Sequence, residues 1–358
     1  MVVKNFDRGI IVSMLLLSGF GSAIIGSVAP GLVTSQIVFY LLGLILFVVF
    51  SQIDYKIYAS AAKLIYLVSV ALLLLTLIIG FESRGSTRWI SLFGFRLQFS
   101  EVLKPFILAS LASFMTKSWF KASLLAVLPM FLIFKQPDLG SALVYVFGFA
   151  SMIFVSGINV VYILLAIGGG VVLLPLGWHF LAEYQRARIV TFLNPSSDPL
   201  GASYNAIQAL IAVGSGQLFG WGLGRGTQSQ LLFLPEQHTD FVFASLSEEL
   251  GFFGAGTILI IYFVLIWRML DISAKSPDFF GRVLGVGLSY MFLAQVFINI
   301  GMNLGIVQVT GITLPLVSYG GSSVLATFIS LGIVQNIRTS CLRSQNLVQS
   351  PLYGFLNR

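Results

Sequence analysis

The chain has 358 residues, 57% of them hydrophobic and 9% charged, with a mean hydropathy of +0.95 and a net charge of +7. Soluble domains average about 45–50% apolar and ~25% charged residues, so this composition excludes a water-soluble globular protein and makes lipid the solvent for most of the surface. A single cysteine, Cys341, excludes a disulfide framework or a cysteine metal site within one chain.

Apolar runs of about 20 residues, the length that crosses ~30 Å of hydrocarbon, recur throughout. Backbone polar groups must be satisfied inside lipid, so runs this long and continuously apolar predict helices and not barrel strands. Ten spans are expected, roughly 8–28, 33–52, 60–81, 100–116, 120–135, 139–156, 158–178, 240–268, 282–305 and 314–337. The fourth and fifth are short and interrupted by Lys104, Pro105 and Pro129, which leaves nine as an alternative. The fold class is therefore all-α and polytopic: one domain over 1–358, about ten transmembrane helices, and a long extracytoplasmic loop (179–239) between helices 7 and 8.

Lys4 and Arg8 precede an apolar run ending in Ser-Val-Ala, as in a signal peptide, but Pro30 follows at once, which predicts an uncleaved first helix. An even number of spans puts both termini on one side. The termini and the loops on their side carry twelve cations against four acids (Asp7, Asp54, Asp271, Asp278); the other side carries eight cations and nine acids. The positive-inside rule then places both termini in the cytoplasm. The basic balance reflects topology and gives no nucleic-acid signal.

Two connections on the outer side are long. The first, 82–99, reads ESRGSTRWISLFGFRLQF. The second runs from His179 to Thr239, and loops beyond ~12–15 residues in compact domains are usually functional or disordered. Within it SYNAIQALIAVGSG has Ile207, Leu210, Ile211 and Val213 at helical spacing, predicting an amphipathic or re-entrant helix at the outer surface. GSGQLFGWGLGRG follows, with glycines at 214, 216, 220, 222, 224 and 226. It is either a flexible turn or a concave nest of N–H groups for an anion; the spacing is not a dinucleotide fingerprint.

Charge inside a membrane helix is expensive and tends to be paired or functional. In FSEVLKPF, Glu101 and Lys104 are three apart and share a helix face, either as a structural ion pair or as contacts for a charged ligand. Asp138 in KQPDLGSALV is placed to cap the next helix. Arg84, Arg88 and Arg96 flank Trp89, and Arg186 and Arg188 lie in the second loop. Arginines on a face where few cations are expected suit an anionic headgroup such as a diphosphate. The densest cluster is FLPEQHTDFVFASLSEELGFFG (233–254), which holds Glu236, His238, Asp240, Glu248 and Glu249. Asp240 precedes an apolar run and can serve as an N-cap. Glu248 and Glu249 lie inside the helix, so at least one is expected to face a wet cavity or a cation. His238 is either a hydrogen-bonding scaffold residue or a ligand; no two-histidine metal spacing exists.

GTQSQLLFLPEQHTDFVFASLSEELG, NIGMNLGIVQVTGITLPLVSYGGSS, QPDLGSALV and STRWI together resemble the SEDS family (shape, elongation, division and sporulation), in the family's order and nearly along the whole chain. The GTQSQ and QPDLG wording is closer to the RodA branch. The resemblance implies a glycosyltransferase that polymerises lipid II into peptidoglycan strands outside the cytoplasmic membrane, ten transmembrane helices, a class B penicillin-binding protein as transpeptidase partner, and association with other membrane proteins of the elongation complex. It makes Asp240 the essential acid of the HTDF motif, Trp89 the tryptophan of the RWI motif, and Glu101 and Lys104 the paired residues of the fourth helix. Phe99 stands where the family commonly has proline before SE, which puts the entry of that helix in doubt.

The chemistry is compatible with these residues. Inversion by one displacement needs a base near the acceptor hydroxyl and stabilisation of the departing diphosphate. Asp240 in a partly apolar setting suits the base, with His238 and Glu248 beside it. Arg88, Lys104 and Arg186, or a divalent cation such as Mg or Mn held by carboxylates, suit the diphosphate. Pro315 and the Gly320–Gly321 pair in PLVSYGGSS interrupt the last span, either for close helix packing or to line a cavity. Two other functions compete: a lipid II flippase or transporter, for which interrupted helices are typical, and a non-catalytic scaffold for a penicillin-binding protein.

Overall fold

The computed structural model describes residues 6–348 except 84–85, 93–94, 181–182, 195–197, 199–200 and 202. Lys4, Arg84, Arg358 and the side chain of Arg188 lie outside the described residues.

Helix α1 (Arg8–Val28) starts where the Asp7 carboxylate accepts from the N–H of Ile10. A 3-10 turn at Pro30–Leu32 leads into α2 (Val33–Gln52). The third predicted span is divided at Ala61 into α3 (Lys56–Ser60) and α4 (Ala62–Ile79). The first long loop is not irregular. It forms an antiparallel sheet of β1 (Phe81–Ser83), β2 (Ser86–Leu92) and β3 (Phe95–Leu97), with Trp89 opposite Phe81 and Ile90 opposite Leu97. The fourth span is likewise in two pieces, α5 (Phe99–Val102) and α6 (Lys104–Met115), so the entry in doubt at Phe99 is a short helix that turns at Leu103.

Next come α7 (Trp119–Lys135), α8 (Leu139–Val155), α9 (Val160–Phe180) and α10 (Glu183–Leu193). The amphipathic helix expected in the second loop is α11 (Tyr204–Ser215), whose Ala209 and Ala212 are buried with Leu234, Phe241 and Ala244. After α12 (Thr227–Gln230), the chain ends in three long helices: α13 (Val242–Ala274), α14 (Phe279–Asn303) and α15 (Gly321–Val348). Among the described residues α1, α2, α4, α13, α14 and α15 are long and apolar enough to cross a membrane, and α6, α8 and the start of α9 are shorter apolar helices. With the 17-residue α7, each of the ten expected spans has a helical counterpart. The chain is a multi-pass helical membrane protein.

Helix α14 is the axis of the bundle, buried along nearly its whole length against α8, α13 and α6. Small residues permit this approach: a Cβ on Gly285 would fall 2.3 Å from Ser273 Oγ, and one on Gly287 2.0 Å from Met152 Cε.

The last span departs from expectation. Residues 314–320 are non-helical, with a turn at 315–317, and the helix begins only at Gly321. This interruption is buried, and irregular backbone inside a membrane bundle persists only where protein satisfies its polar groups. The carbonyl of Pro315 accepts from Tyr262 Oη at 2.5 Å, that of Leu316 from Tyr40 Oη at 2.7 Å, and that of Ser318 from Gln36 Nε2 at 3.1 Å. Its own Ser318 Oγ accepts from the Leu314 N–H at 2.8 Å.

Candidate active site

Asp240 sits at the mouth of α13, in the tight turn of PEQHTD. The Glu236 carbonyl accepts from the N–H groups of Thr239, Asp240 and Phe241, all within 3.2 Å. The helix proper begins at Val242, with Phe241 in the N-cap position and no side-chain cap. The N-cap position open to Asp240 in the sequence is therefore taken by Phe241. Asp240 is partly exposed, whereas every residue from Phe241 to Glu249 is buried. Its peptide is held from beneath: Asn299 Nδ2 and Asn303 Nδ2, one turn apart on α14, donate to the Asp240 carbonyl at 3.0 and 3.1 Å. Asn303 Oδ1 also accepts from the Ala244 N–H at 3.0 Å. The 304–320 connection closes over the same turn. Ser318 Oγ donates to the Thr239 carbonyl at 2.5 Å, and the Tyr319 N–H to that of His238 at 2.8 Å. Gly311, at φ +74°, passes so near Asp240 that a Cβ there would lie 3.4 Å from Oδ2.

A second polar group is built on the sheet, α5, α6 and α8. Lys104 Nζ lies 2.5 Å from Glu101 Oε1 and 3.4 Å from Gln295 Oε1, with only 1% of the lysine side chain exposed. Ser141 Oγ donates to the same glutamate oxygen at 3.1 Å. Asp138 caps α8 as the sequence suggests, accepting from the Ser141 N–H at 3.1 Å. It also accepts from Gln98 Nε2 at 2.7 Å and Ser100 Oγ at 3.1 Å, and faces Arg88 Nη1 at 3.8 Å. Buried polar atoms cost free energy unless bonded, which is why these side chains interlock. Arg88 is the member left partly open: its side chain is 24% exposed, and Nε has no hydrogen-bond partner.

Gln295 joins the two groups. It holds Lys104 on one side, and its Nε2 donates to the Thr313 carbonyl at 3.2 Å and to Ser323 Oγ at 3.3 Å on the other. Gln295, Asn299 and Asn303 follow one another at four-residue steps, hence about 6 Å apart along one face of α14. A polar seam thus runs from Arg88 through Asp138, Ser141, Glu101 and Lys104 to Gln295, and on to the turn of Asp240. The two asparagines and Gln295 had no role in the sequence reading. Their signal was present, as amides at i, i+4 spacing within an apolar run.

Three expectations are corrected. Glu248 and Glu249 face no wet cavity; both are fully buried. Glu248 accepts from the N–H groups of Gln228 (2.7 Å) and Ser229 (3.0 Å) and from Ser229 Oγ, so the carboxylate expected to touch substrate instead ties α12 to α13. Glu249 accepts from Ser27 Oγ at 2.5 Å and from the Gly224 N–H at 3.1 Å. From the glycine-rich segment, the Gly224 N–H is thus given to this protein's own Glu249 carboxyl. Lys104, expected at a diphosphate, is enclosed by Glu101 and Gln295.

Of the other candidates, Trp89 is half-buried in β2 beside Arg88. His238 is half-buried with its ring 6.0 Å from that of Tyr319. Arg186 on α10 donates to the His179 carbonyl at 2.9 Å, a local bond that the sequence reading did not foresee. Among the described residues no three His, Cys, Asp or Glu side chains come together to hold a metal ion.

Known proteins resemble this chain along nearly its full length. The chain is 38% identical to the peptidoglycan glycosyltransferase MrdB of Escherichia coli (strain K12) over 347 residues, 94% of each chain. It is 39% identical to stage V sporulation protein E of Bacillus subtilis (strain 168) over 318 residues, 84% of this chain and 85% of that one. A solved chain of a peptidoglycan synthase complex that coordinates polymerization and crosslinking superposes with a TM-score of 0.81 at 32% identity, covering 94% of this chain and 98% of that one. The Thermus thermophilus rod shape determining protein RodA superposes with a TM-score of 0.70 at 30% identity, over 94% and 97%. The cell cycle protein family of FtsW, RodA and SpoVE matches residues 8–342, and the seam from Arg88 to Asp240 lies wholly inside that match: this chain belongs to that family.

Proposed function

We propose that this protein is a peptidoglycan glycosyltransferase that polymerises lipid II into β-1,4-linked glycan strands on the outer face of the bacterial cytoplasmic membrane during cell elongation. The observation that carries the reading is the Asp240 carboxylate. Asp240 is partly exposed at the end of a membrane helix and is fixed through its backbone by Asn299 and Asn303.

Asp240 accepts the proton of the acceptor sugar's hydroxyl as that oxygen attacks the anomeric carbon of the donor. The bond to the diphosphate breaks on the opposite side, so an α-linked donor yields a β-linked product, and the polyprenyl diphosphate departs with the bonding electrons. Arg88, partly exposed and only loosely paired with Asp138, is the cation suited to that developing charge. Lys104, buried and paired, holds the seam rigid, so its part is positioning. A membrane-edge site accounts for the setting of Asp240, because the polyprenyl tail of the substrate stays in the bilayer while its headgroup reaches the carboxylate.

The charge asymmetry supports an orientation with both termini cytoplasmic: Lys56 opens α3, and Lys117 and Lys275 lie in the turns after α6 and α13, at the ends of those helices away from Asp240. A class B penicillin-binding protein is the proposed partner, supported by the likeness to a chain solved within a synthase complex, with other elongation-complex membrane proteins beside it.

The test is purified protein supplied with lipid II in detergent or in liposomes, with products resolved by length. Polymer from the wild type and none from a folded Asp240→Asn variant is expected. Lipid II crossing the bilayer without polymer would mean a carrier; neither activity, with partner binding intact, would mean a scaffold.

A further inference from the structure

The glycine-rich segment and the residues after α12 carry a surface that the catalytic reading leaves unused. Between Tyr204 and Pro235 the only charged residue is Arg225. In a connection bathed in water this is anomalous, and the exposed side chains deepen the anomaly. Leu218, Phe219, Trp221, Leu223, Leu232 and Phe233 are each between 48% and 77% exposed. A patch of large apolar side chains of this kind marks an interaction surface.

The backbone shows where that surface sits. Helix α13 is broken at Gly251 (φ 66°, ψ −165°), and the groups freed there are taken up by the glycine-rich segment. The N–H of Trp221 donates to Glu248 O at 3.1 Å and that of Gly222 to Glu249 O at 2.9 Å, while Phe252 N–H donates to Gln217 O at 2.8 Å and Phe253 N–H to Leu218 O at 3.2 Å. A Cβ on Gly220 would come 2.2 Å from Glu249 O, so only glycine lets the two backbones meet. The segment is thereby fixed at the level where the apolar, outward-facing stretch of α13 begins at Phe252. Phe219 continues that stretch directly, its ring 5.2 Å from that of Phe253. Phe253 is 56% exposed on a helix that crosses the membrane, so its neighbouring solvent is lipid.

We infer that Leu218–Leu223 and Leu232–Phe233 form a membrane-interface anchor: a re-entrant wedge whose partner is the bilayer at the level of the ester carbonyls. Aromatic residues are enriched at that depth, and apolar area buried there binds an interfacial segment. The same stretch of chain supplies the Gly224, Gln228 and Ser229 N–H groups that hold Glu249 and Glu248. The anchor therefore fixes the height of the first turns of α13, and with them Asp240, relative to the lipid surface.

The full-length protein is reconstituted into vesicles of phosphatidylethanolamine and phosphatidylglycerol bearing brominated acyl chains, and the emission of Trp221 is taken as the difference between wild type and Trp221→Phe. Quenching several-fold stronger by bromine near the carbonyl end of the chain than by aqueous acrylamide is expected, with a blue-shifted Trp221 component. Quenching by acrylamide alone would place the wedge in water, and protection from both would place it under protein such as a second copy; either result overturns the inference. As an independent measurement, nitroxides are attached at Phe219→Cys and Leu232→Cys in a Cys341→Ser background. Their relaxation should respond more to oxygen than to a water-soluble nickel complex, and the reverse order overturns the inference as well.

Discussion

Asn299 donates to the carbonyl oxygen of Asp240 at 3.0 Å, and the same amide nitrogen reaches the Ile312 carbonyl at 2.6 Å. One side chain on the central helix thus fixes both the proposed base and the loop that closes over it.

This relationship predicts a positioning role. Asn299→Ala takes the side-chain donor from the buried Ile312 carbonyl and leaves the Asp240 carbonyl to Asn303 alone, a loss of about 1–3 kcal/mol. Expressed in the barrier, such a loss lowers turnover roughly 5- to 160-fold. Initial polymerisation rates against lipid II concentration should show the fall mainly in kcat, with KM little changed, because Asn299 does not reach the substrate. Asn303→Ala should act in the same direction, and the double variant should be less than additive because the two share an acceptor.

The Lys104–Glu101 pair predicts a stability pattern. Removing one partner leaves an uncompensated buried charge, at about 3–5 kcal/mol, so Lys104→Met should lower the melting temperature in detergent strongly. The double variant Lys104→Met/Glu101→Gln should recover part of the loss. A double variant no more stable than Lys104→Met alone would contradict the structural role.

Glu248 separates architecture from chemistry. Its carboxylate takes two N–H groups and one hydroxyl from residues 228–229. Glu248→Ala should destabilise by about 2–4 kcal/mol and expose the 217–235 region to limited proteolysis. Osmolytes that restore the fold should restore polymerisation in parallel, whereas Asp240→Asn should be inactive in a fully protected fold.

At the opposite end, Asp7 is fully buried yet ionised. Burial pushes its pKa up, but the hydrogen bonds from Arg268 and the Ile10 N–H and the charges of Arg338 and Arg268 outweigh it, holding the carboxyl below its ordinary value. A depressed carboxylate contributes stability above its unfolded pKa and loses it as pH falls through the folded one. Thermal stability should therefore stay level from neutrality to about pH 4 and decline below that. Asp7→Asn should be less stable at neutral pH and show a shallower acid limb.

The residues divide by how far their information reaches. Helix spans, the cap at Asp138, the helix at 204–215 and the Glu101–Lys104 pair were legible because each depends on neighbours within a few positions. The sheet at 81–97 was missed because its pairing joins short strands across a loop, and composition within a lipid-dominated chain gave it little weight. The last span was placed too early because 314–320 is apolar enough to read as helix. Its turn is stable only where Tyr40, Tyr262 and Gln36 supply donors from other helices.

The site divides in the same way. By itself the sequence determined a multi-pass helical bundle with an acid at the mouth of the eighth span, since hydrophobicity and local charge are properties of the chain alone. Tertiary structure decided which polar residues are spent on the fold and which remain for chemistry. In the sequence Glu248 and Lys104 are candidates for substrate contact beside the acid Asp240, and Glu249 shares the expectation of a wet cavity or a cation. Burial requires Glu248, Glu249 and Lys104 to find partners, and only packing reveals that those partners come from the protein itself, while Asp240 lies in a partly exposed turn at the helix mouth.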